Sequence, residues 1–128
     1  SEEKSWTRRR PCMQDNEEIT RLRHMLESAI DAVSFVQNRN RDSLETDKML
    51  MLALVRCVEI IGEAASKVSK GFCDAHPQVP WKDIINMRNR LIHAYFDINL
   101  DTVWSAITED LPPLISELKK ILGHDSTP

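Results

Sequence analysis

The stretch from Asn86 to Ile98, "NMRNRLIHAYFDI", combines side chains that can bind phosphate with one that can move protons. Arg88 offers a planar fork of N–H donors that matches phosphate oxygens. His93 belongs to the residue type whose unperturbed pKa suits proton transfer near neutrality. Asn89 and His93 are four residues apart, so they share one side of a helix, and the long Arg88 side chain can swing toward that side. The spacing predicts a site for one small anionic group near a helix end.

The same residues also have a structural interpretation. An arginine and a histidine close to the carboxyl end of a helix can simply interact with the helix dipole or form surface pairs. Arg90, the second arginine of the segment, is interpreted as a solvated or phosphate-steering residue rather than a catalytic one. Glu63 and Lys67 fit an ordinary ion pair at i, i+4, with approach of Glu63 to the Arg88 segment from a neighbouring helix as the alternative.

No metal site is predicted from the sequence. The histidines outside the segment have no partner at metal-ligand spacing; they are His24, His76 and His124. The run "DINLD" begins like a calcium-binding loop, but Thr102 and Thr108 stand where such a loop needs glycine and glutamate. Helix capping explains that run better.

Composition indicates one soluble globular domain. The chain has 128 residues, of which 41% are hydrophobic and 29% charged, and it contains no apolar run of the roughly 18 residues that a membrane span requires. Cys12, Cys57 and Cys73 are an odd number without a C-x-x-C pair, which predicts reduced thiols and a cytoplasmic location. The net charge of -3 argues against binding along an extended duplex, so any nucleic-acid contact must be local.

Hydrophobic periodicity predicts helices nearly throughout. A first amphipathic helix is expected from Asp15, and a second from Ser43 or Thr46 to a stop at Gly71. Residues 49–61 of the second helix are apolar almost all round. That segment therefore needs cover on two sides, by other helices or by a second subunit.

The phosphate-binding segment is expected on a third helix. This helix begins at Pro80 and ends near Ala94 or Tyr95, and Asn99 is predicted to cap a fourth helix. The proline pair in "DLPPL" is expected to kink or restart that fourth helix, which Gly123 ends. The predicted anchors of the core include three aromatic residues, Trp81, Phe96 and Trp104. The fold class is all-α, an up-and-down bundle of four or five helices.

The helical domain is expected to cover residues 15–122. Residues 1–14, which include "SEEKSWTRRRP", lack the apolar stretch of a signal peptide and are interpreted as a flexible arm. Residues 123–128 are interpreted as a polar tail.

The order Arg88, Asn89, three residues, His93, one residue, Tyr95 resembles the R-x-x-x-x-H-x-Y motif of HEPN-domain proteins, in particular the HepT-like toxins of prokaryotic toxin–antitoxin pairs. The likeness extends to "EIIGEAASKVS", "VPWKDIINMRNRLIHAYFDINLDTVW" and "EDLPPLISEL", in the order of the family's segments. It covers roughly residues 15–122.

This resemblance implies a HEPN-like helical fold and a metal-independent endoribonuclease that needs no cofactor. His93 and Arg88 would act on the RNA backbone and Asn89 would orient them. Arg90, interpreted above as a phosphate-steering residue, is the predicted RNA-binding residue. The chemistry of the residues is compatible, because a ribose 2′-hydroxyl can attack the adjacent phosphorus once a base takes its proton. DNA lacks that hydroxyl and would be spared.

The resemblance also implies partners. It implies a homodimer that brings two copies of the motif to one cleft, a nucleotidyltransferase-type antitoxin that can join it in a higher complex, and no membrane. In this family the motif tyrosine, here Tyr95, accepts AMP. The alternative is a non-catalytic helical module that binds a nucleotide or docks a partner protein, in which Arg88 and His93 hold a phosphate and cut nothing.

Overall fold

A computed structural model describes residues 2–93 and 99–123, with side chains described at 17–91 and 99–123. The described residues are helical and include no strand. The helices are α1 (Glu2–Phe35), α2 (Ser43–Thr46), α3 (Lys48–Ser66), α4 (Lys70–Ala75), α5 (Trp81–His93), α6 (Leu100–Ser105) and α7 (Leu111–Leu122), with a π-helical turn, Ala106–Asp110, between α6 and α7. The predicted all-α bundle is confirmed. None of the helices in these ranges is both long and apolar enough to cross a membrane.

Helix α1 supplies one wall of the core. Its buried stripe, spaced mainly at three and four residues, consists of Leu22, Met25, Leu26, Ala29 and Ala32, and Val36 just after the helix is also buried. The helix begins at Glu2 rather than near Asp15. Side chains before Glu17 are not described, so the flexible arm over residues 1–14 stays a prediction.

Helix α3 is the central element, packed between α1 and α5. Leu54 and Ile61 are almost fully buried there, as the apolar girth of this segment predicted. Met49 and Leu52 stay exposed, at 82% and 47% of their full surface. The bundle therefore covers most of α3 and leaves its first turns open on one side.

The long second helix predicted from the sequence is divided into α2, α3 and α4. Asp47 has an extended backbone and caps α3 by accepting a hydrogen bond from the Leu50 backbone N–H at 3.1 Å. Ser69 caps α4 in the same way, accepting from Phe72 N at 3.2 Å. The buried Glu18 carboxylate of α1 accepts from the Ser69 backbone N–H and, at 2.5 Å, from its hydroxyl. This contact fixes the start of α4 against α1.

Helix α5 begins at Trp81, one residue after the expected start at Pro80. The indole N–H of buried Trp81 donates to the His76 carbonyl at 3.0 Å, and Trp81 is a core anchor as predicted. Trp104 is partly buried against the core, whereas Phe96 lies outside the described residues. The expected end of this helix near Ala94 or Tyr95 also lies outside them.

The C-terminal third of the bundle follows the predicted punctuation. The Asn99 side chain accepts from Thr102 N at 3.1 Å and caps α6. The π-helical turn interrupts the segment, and α7 restarts with the proline pair in its first turn. Gly123, at φ +81°, ends α7 in the left-handed conformation.

Candidate functional site

Arg88 lies where α5 crosses α3 at very short distance. The crossing depends on Gly62 of α3, because an ideal Cβ built at this position would lie 2.2 Å from Arg88 Cβ and 2.7 Å from Arg88 Cγ. No real side chain fits that space. The aliphatic stem of Arg88 therefore packs directly on the α3 backbone, which fixes the base of the side chain.

The guanidinium of Arg88 is held by two acceptors. Nη2 donates to Glu63 Oε1 at 2.6 Å, and Nη1 donates to Asn89 Oδ1 at 3.1 Å. The Arg88 side chain retains 28% of its surface in solvent. The structure thus brings Arg88 and Asn89 together and leaves part of the fork accessible to a ligand.

Glu63 uses both carboxylate oxygens. Oε1 accepts from Arg88, while Oε2 lies 3.3 Å from Lys67 Nζ, so the predicted i, i+4 pair is confirmed. The contact from α3 to Arg88 was open in the sequence, since it depends on how two helices cross. The signal for it is a glycine followed directly by a carboxylate on a largely apolar helix.

His93 is the last described residue of α5, and its side chain is not described. Because Asn89 and His93 are four residues apart on this helix, they occupy the same side of it. Convergence of the imidazole with Arg88 and Asn89 stays a prediction. Tyr95 lies outside the described residues altogether.

Arg88 opens into a groove of about 620 Å³ along α1 and α3, here called the Arg88 groove. Its charged lining consists of the cations Arg21, Arg56, Lys67 and Arg88, the carboxylates Glu17, Glu59 and Glu63, and His24. Four permanent cations face three carboxylates in a chain whose net charge is -3. This groove is therefore one place where the acidic protein presents a surplus of positive charge.

A second groove of about 1000 Å³ lies between α5 and the segment from the π-helical turn to α7, here called the acidic groove. Its floor is apolar, and its charged lining consists of Arg90 and the carboxylates Asp83, Glu109, Asp110 and Glu117. Asn89 also lines it. Arg88 and Arg90 therefore line different grooves, and four carboxylates surround the groove of Arg90.

The other reactive groups give no further site. The residues that the structure describes contain no group of three or more histidine, cysteine, aspartate or glutamate side chains that could hold a metal ion. Cys57 and Cys73 are free thiols, and burial raises the pKa of each above its usual value of 9.0, assisted by nearby carboxylates. Both thiols are thus protonated at neutral pH and are poor nucleophiles.

Comparison with known proteins finds one family and several relatives. The family model described as "Ribonuclease HepT-like" matches residues 25–121. A protein named "Putative RNase" in Methanocaldococcus jannaschii is 37% identical over 98 residues, which cover 77% of this chain and 90% of that protein. One of the same name in Caldanaerobacter subterraneus is 38% identical over 104 residues, covering 81% and 93%.

A third relative, named "Probable ribonuclease HepT" in Thermococcus cleftensis, is 33% identical over 100 residues, covering 75% of this chain and 91% of that protein. No solved structure matches the chain. The helical fold and the extent of these matches place the chain in one class of proteins, the helical HEPN-type ribonucleases. It belongs to the HepT-like ribonuclease family, and the resemblance predicted from the motif is confirmed.

Proposed function

We propose that this protein is a metal-independent endoribonuclease and the toxin of a toxin–antitoxin pair, acting in the cytoplasm. Membership of the HepT-like ribonuclease family supports cleavage of RNA. The observation that carries the proposal within the chain is the Arg88 guanidinium, held by Glu63 and Asn89 yet partly open to solvent, on the helix that also carries His93.

The proposed reaction uses the substrate's own nucleophile. His93 removes the proton of a ribose 2′-hydroxyl, and the oxygen attacks the adjacent phosphorus. The P–O5′ bond breaks as the new P–O2′ bond forms, the leaving 5′ oxygen takes a proton from water, and His93 returns its proton to the solvent. The products are a 2′,3′-cyclic phosphate and a 5′-hydroxyl. Arg88 stabilises the extra negative charge on the phosphorane, and Asn89 orients the guanidinium.

Charge favours the Arg88 groove as the path of the RNA strand. A polyanion meets four cations and three carboxylates there, but one arginine and four carboxylates in the acidic groove. Arg56 is 71% exposed, with a carboxylate 3.6 Å away on Glu59. Arg90, predicted from the sequence to bind RNA as a phosphate-steering residue, would contact RNA only where the strand passes over α5, and we assign it the smaller share of binding.

Incubation of the purified protein with single-stranded RNA in excess EDTA tests the activity. We expect cleavage to products ending in a 2′,3′-cyclic phosphate, and we expect His93→Ala to lower the rate about 100-fold or more, the usual effect of losing a general base. His76→Ala removes a histidine outside both grooves and serves as the matched control, with folding of each variant checked by circular dichroism.

Four outcomes would count against this function. Products with a 5′-phosphate and a 3′-hydroxyl, or cleavage that requires magnesium, would indicate a different mechanism. Equal cleavage by the wild type and His93→Ala would remove the assigned base. Unchanged RNA with a folded wild-type protein would favour the alternative, a helical module that binds a nucleotide or docks a partner without cutting.

We further propose that Tyr95 is the acceptor for AMP groups from a nucleotidyltransferase-type antitoxin. The support is its place in the motif, two residues after His93, in the segment that the family model matches. A phenol becomes a nucleophile once a partner's base removes its proton, and attack on the α-phosphorus of ATP would release pyrophosphate. The added phosphate would compete with RNA for Arg88.

Co-expression with a nucleotidyltransferase-type antitoxin tests the modification. We expect the chain to gain the mass of one or more AMP groups and to lose RNA cleavage, while Tyr95→Phe stays unmodified. A nucleotidyltransferase inactivated at its own active site is the control. Labelling of Tyr95→Phe, or AMP found on a serine or threonine, would refute this assignment.

A further inference from the structure

Glu63 is the one residue of α3 that forms an ion pair with Arg88 among the described side chains. The contact is short, at 2.6 Å, and joins two residues on different helices that are 25 positions apart in sequence. Its partner Arg88 is partly buried, with 28% of the side chain exposed against 46% for Glu63, whereas most other ion pairs described in this protein join more exposed cations. Such a pair holds its geometry better than a solvated one.

The ion pair with Glu63 leaves several N–H donors of the Arg88 guanidinium available for a ligand. A guanidinium has five N–H donors. One points to Glu63 and one to Asn89. The remaining donors can bind phosphate oxygens while the plane of the fork is already fixed. A fork fixed in advance does not have to be reoriented when charge develops on the phosphorane.

Lys67 changes what the Glu63 carboxylate does to an incoming phosphate. A lone carboxylate beside Arg88 would neutralise it and repel the RNA backbone. Lys67 Nζ lies 3.3 Å from Glu63 Oε2, on the oxygen that Arg88 does not use. The three groups together carry one positive charge, so the pair orients Arg88 without cancelling the attraction for phosphate.

We propose that Glu63 is a positioning residue for the cleavage reaction, which holds the Arg88 guanidinium in the plane required by the phosphorane while Lys67 balances its charge. This inference rests on the proposed ribonuclease function and deepens it. Glu63 touches no substrate atom in this account. Its effect reaches the reaction through Arg88.

Cleavage kinetics of Glu63→Ala and Glu63→Gln test the inference. We expect Glu63→Ala to lower kcat about tenfold to 100-fold, the size of effect that misplacement of a reacting group produces, with KM changed less than about twofold. Glu63→Gln keeps an amide oxygen that can accept from Arg88 Nη2, so it should recover most of the rate. A residue that served only to join α3 and α5 would not give this split between kcat and KM.

Glu117→Ala is the matched control, because Glu117 also forms a carboxylate–lysine pair on a helix, 3.7 Å from Lys120, but lines the acidic groove. We expect its cleavage rate to equal that of the wild type. Melting temperatures of all variants identify any loss that comes from unfolding.

Arg88 Nε–Hε resonances in ¹⁵N NMR spectra provide a readout that does not depend on activity. We expect a resolved signal in the wild type and in Glu63→Gln that broadens or disappears in Glu63→Ala. If the wild type cleaves RNA and Glu63→Ala cleaves equally fast, the positioning role is wrong. Faster cleavage by Glu63→Ala would show that Glu63 competes with phosphate instead.

A folded wild-type protein that leaves RNA intact would overturn the ribonuclease function, and the positioning role with it. The NMR signal would then still report whether Glu63 orders Arg88. The two failures are therefore distinguishable.

Discussion

At the scale of single residues, the absence of a side chain on Gly62 is as important to the site as the charged groups. A methyl group at this position would overlap the Arg88 stem, at 2.2 Å from its Cβ. We expect Gly62→Ala to push α5 away from α3, to lower the free energy of unfolding by about 1–3 kcal/mol, as overpacking does, and to reduce RNA cleavage.

Gly71→Ala is the control for this prediction. Gly71 lies in α4, and nothing is within 4 Å of the position that its Cβ would take. Replacement there should raise the free energy of unfolding by about 0.4–1 kcal/mol through the unfolded state, with unchanged cleavage. Urea denaturation measures both variants. A Gly62→Ala protein as stable and active as the wild type would show that the crossing of the two helices can relax.

Residue types and spacing were sufficient to predict part of this site. Arg88, Asn89 and His93 lie within one helix, so helical periodicity alone relates their positions. The Glu63 contact could be named only as an alternative, because it depends on the close crossing that Gly62 permits. The separation of Arg90 from Arg88 into two grooves likewise depends on the elements packed on each side of α5.

At the scale of elements, helix existence was easier to predict than helix boundaries. The second predicted helix is broken at Asp47 and Ser69, and the sequence did not reveal these breaks because the helical spacing of apolar residues continues through both. Each break is made by a capping side chain, and Asp47 is also paired with Arg39 at 3.0 Å. The hydrogen bond from Leu50 N, and to a lesser degree the one from Arg39, lowers the pKa of the Asp47 carboxyl below its usual value of 3.8. The ionised cap therefore stabilises the fold fully at pH values above 3.8, and this stabilisation is lost as the pH falls through the lowered pKa of Asp47.

The sequence shows why the helix is interrupted near the π-helical turn, but it does not show which type of turn forms. Pro112 and Pro113 have no N–H, so the carbonyls of Thr108 and Glu109 cannot receive the usual α-helical hydrogen bonds. The restart at the proline pair was therefore predictable. The backbone forms a wider turn instead, in which Leu111 N donates to the carbonyl of Ala106, five residues earlier. Which irregular turn forms depends on packing against α1 and α7, to which this turn is adjacent.

At the scale of the whole molecule, two exposed apolar residues lie on the side of α3 that carries Arg56 and Glu63 of the Arg88 groove. Met49, Leu52, Arg56 and Glu63 are separated by three, four and seven residues on α3, so they share one side of that helix. Met49 is 82% exposed and Leu52 47%. A patch of this kind beside a charged groove is typical of a protein interface. We therefore propose it as the contact between the two copies of the homodimer that the family resemblance implies.

Leu52→Glu tests this interface. Placing a carboxylate in a buried apolar contact costs several kcal/mol unless it is paired, so we expect the variant to sediment as a 14.8 kDa monomer at micromolar concentration, where the wild type sediments as a dimer. Cleavage per chain should fall, because each monomer offers RNA only one Arg88 groove. Ile30→Glu is the matched control, because Ile30 is an apolar residue of similar exposure, 41%, on a different helix, α1. A wild-type monomer that cleaves RNA, or a Leu52→Glu protein that remains a dimer, would exclude this surface as the interface.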